Sequence, residues 1–152
     1  MIMATVGGIG HIKPAPGTWA SVIASVVLVP LAAWLSWPWG AVCAGALVLL
    51  AASVGWWSCP HAVRIMGRDD PSQVVIDEVV GCWIGLAVVA WLWPDDGWWW
   101  QALMVLVVFR LLDIIKPWPI GVCERLPGAT GIMADDLCAG LVAGGLTALV
   151  MI

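Results

Sequence analysis

Two apolar runs near the beginning of the chain decide its fold class. Residues 19–36 read WASVIASVVLVPLAAWLS, and residues 39–58 read WGAVCAGALVLLAASVGWWS. Neither run contains an acidic or a basic residue. A helix needs about 20 residues to cross the hydrocarbon core of a bilayer, where it satisfies its own backbone hydrogen bonds. The two runs therefore predict two membrane-spanning helices, Trp19–Ser36 and Trp39–Ser58.

Three further apolar runs follow, at Val79–Trp93, Trp98–Ile115 and Leu137–Ile152. Of the 152 residues, 62% are hydrophobic and 11% are charged, and the mean hydropathy is +1.01. Soluble domains are closer to half apolar and a quarter charged, which argues against a soluble protein with buried helices. The net charge of −4 argues against a nucleic-acid partner. The sequence predicts an all-α polytopic membrane bundle of about five transmembrane helices in one domain, residues 1–152.

The basic residues predict the orientation of these helices. Five crossings place residues 1–18, 59–78 and 113–136 on one side of the membrane, with Arg110 just inside it. All six basic residues lie there: Lys13, Arg64, Arg68, Arg110, Lys116 and Arg125. The positive-inside rule makes that side cytoplasmic, with the N-terminus inside and the C-terminus outside. Tryptophans crowd the opposite ends of the helices, as an interfacial belt does: Trp34, Trp37, Trp39, Trp91, Trp93, Trp98, Trp99 and Trp100.

Three acidic sets interrupt apolar sequence on the predicted cytoplasmic side. Asp77 and Glu78 open the third run, Asp113 closes the fourth, and Asp135 and Asp136 open the fifth. Charges at membrane depth cost several kcal/mol unless they are paired or bound to a metal. Carboxylate oxygens are hard ligands that suit Mg²⁺ or Mn²⁺. Packing of the three helices therefore predicts a magnesium site formed by all five residues.

Structural roles for the same residues stay open at this stage. Asp135 and Asp136 are also suited to cap a helix and interact with its dipole. Arg110, Asp113 and Lys116 have the spacing of an intrahelical ion-pair ladder. Other polar groups are predicted to be structural or solvated: Asp69 and Asp70 in a turn, His61 in a surface loop, Glu124 at the surface, Asp95 and Asp96 in an outer turn, and the five cysteines as small apolar fillers.

A glycine-rich segment before the first span is suited to bind phosphate. Residues 6–21 read VGGIGHIKPAPGTWAS. Glycines let backbone amides approach an anion, and the amides at a helix start are free to bind one. Thr18 and Ser21 would add hydroxyl donors, and Lys13 would add positive charge. The alternative for Thr18 is a plain helix cap.

Four blocks together resemble a known family. They are Pro16-Gly17-Thr18, residues 76–81 (IDEVVG), Arg110 through Asp113 with the following KPWPI at 116–120, and residues 131–136 (GIMADD). In this order they are similar to phosphatidylglycerophosphatase A. The chain departs from the family pattern at His11, Ala20 and Cys82.

The resemblance implies magnesium-dependent removal of the terminal phosphate of phosphatidylglycerophosphate, giving phosphatidylglycerol in the bacterial inner membrane. It also implies that the acidic residues of the matching blocks serve the metal site. We expect Asp77, Glu78, Asp113 and Asp136 to take part in catalysis, with Arg110 and Lys116 holding the phosphate. Attack by water or by an Asp carboxylate stays open. Two other functions also stay open, a lipid phosphotransferase and an ion-coupled carrier.

Overall fold

The computed structural model of the protein describes residues 1–35, 37–68, 71–93 and 97–151, and within these ranges it is helical and contains no strand. A 3₁₀ turn at Ile9–His11 comes first. Six α-helices follow: α1 Pro16–Leu35, α2 Trp39–Met66, α3 Ile76–Leu92, α4 Trp98–Ile115, α5 Ile120–Cys123 and α6 Ala129–Val150. The predictions for Asp69, Asp70, Asp95 and Asp96 lie outside the described residues.

Four of the helices, α1, α2, α4 and α6, are long and apolar enough to cross a membrane. Large apolar side chains such as Leu49, Ile114 and Leu149 are exposed on them, as expected of surfaces that face lipid rather than water. The predicted all-α membrane bundle is confirmed at this level. The helix α3 has 17 residues, which makes it shorter than the other four long helices.

The short helix α3 occupies the centre of the bundle, where it packs against α1, α2, α4 and α6. Its glycines explain the closest of these contacts. Gly81 and Gly85 face Gly140 and Gly144, and a methyl group at Gly144 would lie 2.7 Å from the carbonyl oxygen of Gly85. Small residues spaced four apart let two helix backbones approach one another, as they do in membrane helix pairs. The backbones of α3 and α6, the two helices that carry Asp77, Glu78, Asp135 and Asp136, are therefore in close contact.

Tryptophans mark one end of the bundle and charged residues mark the other. Trp34, Trp39, Trp91 and Trp99 lie at the α1–α2 and α3–α4 connections, and all four are more than half exposed. This is the predicted arrangement of an aromatic belt. The opposite end carries the beginnings of α1 and α3, the end of α4 and the first turns of α6, which together surround a cavity.

Two helix boundaries differ from the prediction by eight residues each, the end of α2 and the beginning of α6. The helix α2 continues past Ser58 to Met66, so His61 is helical, and its Nδ1 lies 2.8 Å from the carbonyl oxygen of Trp57. Apolar content falls after Ser58, but a helix leaving the membrane continues with polar residues, and Pro60 is accommodated within it. The helix α6 begins at Ala129, six residues before Asp135. Asp135 and Asp136 therefore do not open a helix, and the capping interpretation for them was wrong.

Candidate active site

The cavity at the charged end of the bundle measures about 490 Å³ and combines the acidic residues of three helices. Pro16 and Gly17 of α1 form part of its wall. Six carboxylates and two cations also line it: Asp77, Glu78, Asp113, Glu124, Asp135 and Asp136, with Arg110 and Lys116. The predicted convergence of Asp77, Glu78, Asp113, Asp135 and Asp136 on one space is thus present in the structure. Negative charge exceeds positive charge on its walls.

Arg110 connects α3 to α4 within this cavity. Its Nη1 lies 3.1 Å from Oε1 of Glu78 and 2.8 Å from Oδ2 of Asp113. The side chains of Arg110 and Glu78 are each 18% exposed and that of Asp113 is 16% exposed. The Arg110–Asp113 part of the predicted ion-pair ladder is therefore confirmed. Because the same nitrogen also binds Glu78, the pair joins two helices rather than stabilising one.

Lys116 does not continue that ladder, and this part of the prediction was wrong. The residue follows α4 in a left-handed conformation with φ of 47°, which turns the side chain away from the helix direction. Its Nζ lies 2.7 Å from Oε1 of Glu124 and 2.7 Å from Oδ2 of Asp135. Burial by itself lowers the pKa of Lys116, but its hydrogen bonds to Asp135 and Glu124 outweigh burial and raise the net pKa above its ordinary value. Lys116 is thus a firmly protonated link between α6 and the segment after α5.

The most enclosed carboxylate of the cavity belongs to Asp136, which is 3% exposed. No described residue donates a hydrogen bond to its carboxylate. The neighbouring Asp135 differs, since it accepts hydrogen bonds from Lys116 and from the backbone amide of Asp136. Asp77 is 7% exposed and accepts a hydrogen bond from the backbone amide of Glu78 at 3.0 Å. The carboxylate of Asp136 is therefore a buried charge that the described residues compensate poorly.

The first turn of α1 supports Glu78 through Gly17. A methyl group at Gly17 would overlap the carboxylate of Glu78, so a side chain at this position would displace that carboxylate. Gly17 lies in the block Pro16-Gly17-Thr18, which had suggested a phosphate loop. In the structure this glycine makes room for an acidic side chain of α3.

We expect Gly17→Ala to reduce activity by about 10- to 100-fold while leaving the fold intact, because an ångström of misplacement at a reacting centre has an effect of this size. The carboxylate of Glu78 is the flexible end of a side chain and can move away from the new methyl group. Steady-state turnover and thermal unfolding in detergent would be measured together. Gly45→Ala is the matched control, because a methyl group there meets no atom within 4 Å. Full activity in Gly17→Ala would contradict this role.

Three residues predicted to bind substrate do not line the cavity. Lys13 and Thr18 are exposed outside it. Thr18 is the third residue of α1 and therefore not its cap. Ser21 is buried, and its Oγ donates to the carbonyl oxygen of Gly17 at 2.9 Å. The hydroxyl of Ser21 thus stabilises the turn that carries Gly17.

Glu124 is a residue whose place in the cavity the sequence did not reveal. Its side chain is 52% exposed, which agrees with the predicted surface position, but its carboxylate binds Lys116 and lines the cavity rim. The short helix α5 brings it there. The signal available in the sequence was its position shortly after the KPWPI block, in a segment otherwise taken to be a loop.

The departures Ala20 and Cys82 lie behind the site, in the contact between α1 and α3. Ala20 is fully buried. The Sγ of Cys82 lies 3.2 Å from Oγ of Ser25, so this thiol fills a helix interface. All five cysteines are free, and Cys123 and Cys138 contact each other through their sulfur atoms at 2.8 Å.

The carboxylates of the cavity are of the type that binds Mg²⁺, but they are not arranged around one point as the ligands of an ion would be. Carboxylate oxygens from α3, α4 and α6 are the ligands that Mg²⁺ prefers. Within the described parts of the chain, however, no three acidic, cysteine or histidine side chains come close enough together to hold an ion. Arg110 and Lys116 bind four of the carboxylates instead. The residues are of the right chemical type for Mg²⁺, and several of them form ion pairs with Arg110 or Lys116.

Comparison with known proteins gives a consistent result. The sequence profile of the phosphatidylglycerophosphatase A family matches residues 2–151. Phosphatidylglycerophosphatase A of Escherichia coli is 34% identical over 146 residues, covering 95% of this chain and 79% of its own length. Phosphatidylglycerophosphatase A of Haemophilus influenzae is 35% identical over 143 residues, covering 93% of this chain and 82% of its own.

A protein of Bacteroides thetaiotaomicron is 35% identical over 142 residues, covering 93% of this chain and 86% of its own length, and carries the provisional name phosphatidylinositol-3-phosphatase. No solved structure matches the chain significantly. Because the family profile spans almost every residue and the two named phosphatidylglycerophosphatases align over about four fifths of their lengths, the chain belongs to the phosphatidylglycerophosphatase A family.

Proposed function

We propose that the acidic cavity is where this chain carries out its phosphatidylglycerophosphatase activity, with Mg²⁺ as cofactor. The observation that carries the proposal is the excess of carboxylates over cations around one cavity. A phosphomonoester is itself an anion, so these walls would repel it unless further positive charge is bound. A magnesium ion held by Asp77, Glu78, Asp113, Asp135 and Asp136 would supply that charge and offset the charge that develops on the phosphoryl oxygens.

The two cations of the cavity are proposed to bind the phosphate of the substrate. Arg110 offers several N–H donors in a fixed plane, and Lys116 offers a firmly held ammonium. Lys13 and Thr18, which are exposed near the beginning of α1, are proposed to contact the headgroup further out. Ser21 is left out of the proposed substrate site because its hydroxyl is buried and bonded to Gly17.

The remaining chemistry is proton transfer by the carboxylates. We favour attack of a water molecule on phosphorus, with one of Asp77, Glu78, Asp113 and Asp136 accepting its proton. The bond from phosphorus to the glycerol oxygen then breaks and inorganic phosphate is released. The proton held by the carboxylate passes to that oxygen and gives the alcohol of phosphatidylglycerol. A buried carboxylate without a hydrogen-bond donor, such as Asp136, is the strongest proton acceptor among them by environment.

The single domain, residues 1–152, is proposed to cross the bacterial inner membrane five times, with α3 as the central crossing. The basic residues at the cavity end support a cytoplasmic orientation of the site, with the N-terminus inside and the C-terminus outside. The acyl chains of the substrate would stay in the bilayer against the exposed apolar faces of the helices. The headgroup would reach the cavity from the cytoplasmic surface.

The proposal is tested by phosphate release from phosphatidylglycerophosphate by the purified protein in detergent. We expect turnover with Mg²⁺ and its loss in EDTA, with recovery when Mg²⁺ is restored. Phosphatidylinositol 3-phosphate is assayed in parallel, because one relative is named for it, and slower hydrolysis is expected. Transfer of phosphate to an added alcohol would indicate a phosphotransferase instead, and absence of metal-dependent phosphate release would refute the proposal.

A further inference from the structure

Arg110 uses one nitrogen to hold two carboxylates from different helices. Its Nη1 contacts Glu78 of α3 and Asp113 of α4, at 3.1 Å and 2.8 Å. A positive centre shared by two carboxylates is the arrangement that a metal ion would otherwise create between them. The guanidinium does not use all of its hydrogen-bond donors in this position, because its Nε is buried and has no hydrogen-bond partner among the described residues.

The carboxylates that Arg110 binds belong to the set proposed to hold Mg²⁺. The oxygens directed at the guanidinium are not available to an ion at the same time. This competition accounts for walls that carry the right ligands, although no three acidic side chains of the described chain lie close enough together to hold an ion.

Asp136 supplies an independent reason for a cation to enter. It is 3% exposed, its carboxylate lines the same cavity, and no described residue donates a hydrogen bond to it. Neither of the two cations of the cavity is bonded to it. An uncompensated buried carboxylate favours binding of a further positive charge.

We infer that Arg110 is a resident counter-cation, which neutralises Glu78 and Asp113 until Mg²⁺ replaces it and which then turns its guanidinium to the substrate phosphate. The inference rests on the proposed function for the identity of the metal and of the phosphate. In this inference Arg110 binds either its two carboxylates or the substrate phosphate, and this fixes the order in which the metal and the phosphate bind. The metal binds before the phosphate, because Arg110 is released only when its carboxylates acquire another cation.

The release of Arg110 can be followed in the unmodified protein by its reaction with phenylglyoxal, a reagent for accessible guanidinium groups, with modified peptides measured by mass spectrometry. We expect slow labelling of Arg110 in EDTA, labelling several-fold faster with Mg²⁺, and slow labelling again with Mg²⁺ and inorganic phosphate. Arg125 is the internal control, because it is exposed and outside the cavity. Labelling of Arg110 that is unchanged or slower with Mg²⁺ would overturn the inference.

A variant gives a second readout that does not depend on activity. We expect Arg110→Gln to bind Mn²⁺, measured by electron paramagnetic resonance, about tenfold more tightly than the unmodified protein, because a competing charge in contact with the ligands is gone. Arg125→Gln, which removes the same charge elsewhere, should leave the affinity unchanged. Equal or weaker Mn²⁺ binding in a folded Arg110→Gln would overturn the inference. Magnesium-dependent hydrolysis would still stand in that case, so the two proposals fail separately.

Discussion

Asp136→Asn is expected to reduce turnover by about 10³-fold or more, the range seen when a group that acts on the reacting atoms is lost. The same substitution is expected to raise the thermal unfolding temperature in EDTA. Asn has the shape of Asp but no charge, and the carboxylate it replaces is buried without a hydrogen-bond donor among the described residues and beside other acids. Loss of activity with gain of stability is typical of a residue retained for function.

The two effects would be measured on the same preparation, as phosphate release and as thermal unfolding followed by circular dichroism. Glu124→Gln is the matched control, since it removes one negative charge at the exposed rim of the same cavity. We expect its turnover to fall by no more than about 10- to 100-fold, the range for residues that support a site without forming it. If Asp136→Asn were active and less stable, Asp136 would have a structural role.

Gly140→Ala is expected to destabilise the protein by about 1–3 kcal/mol, the usual range for overpacking a close contact, and to abolish most activity. A methyl group at Gly140 would overlap the carbonyl oxygen of Gly81, and backbone atoms cannot turn aside as side chains do. The helices α3 and α6 would have to separate. Because they carry Asp77, Glu78, Asp135 and Asp136, the site would widen with them.

Gly145→Ala provides the comparison for this effect on the same helix. A methyl group at Gly145 meets no atom within 4 Å. Since Ala favours helix over Gly by up to about 1 kcal/mol, this variant should be as stable as the unmodified protein or slightly more stable. Thermal unfolding and turnover of both variants would be compared. Equal stability of Gly140→Ala and Gly145→Ala would show that the α3–α6 contact is not close.

The sequence predicted the helices of the bundle because lipid imposes a simple requirement on them. Every long apolar run is a helix in the described structure, and the run from Trp98 to Ile115 matches α4 at both ends. Helix ends outside the apolar zone were predicted less well. Polar residues beyond Ser58 still belong to α2, and small residues before Asp135 already belong to α6. Hydropathy marks where a chain leaves lipid, which is a different point from where a helix ends.

The acidic residues of the candidate site could be predicted from the sequence, but the ion pairs that they form could not. Embedded acids such as Asp77 and Asp136 stand out in an apolar chain, and the structure brings them to one cavity. The partner of Lys116 depends on the left-handed turn after α4 and on the placement of α5, which are tertiary features. The role of Gly17 depends on a side chain 61 positions away in the sequence, since it adjoins Glu78.

The central position of α3 has a consequence for how the protein is made. A helix of 17 residues that begins with two acids is a poor membrane segment alone, and much of its surface is covered by α6. Synthesis of α3 ends at Leu92 and that of α6 at Val150, so α3 is complete 58 residues before α6. The inserted position of α3 in the membrane would therefore be unstable until α6 has been synthesised and packs against it. A nascent chain that has not yet delivered α6 would lack Asp135 and Asp136, so the acidic site is complete only after α6 has been synthesised.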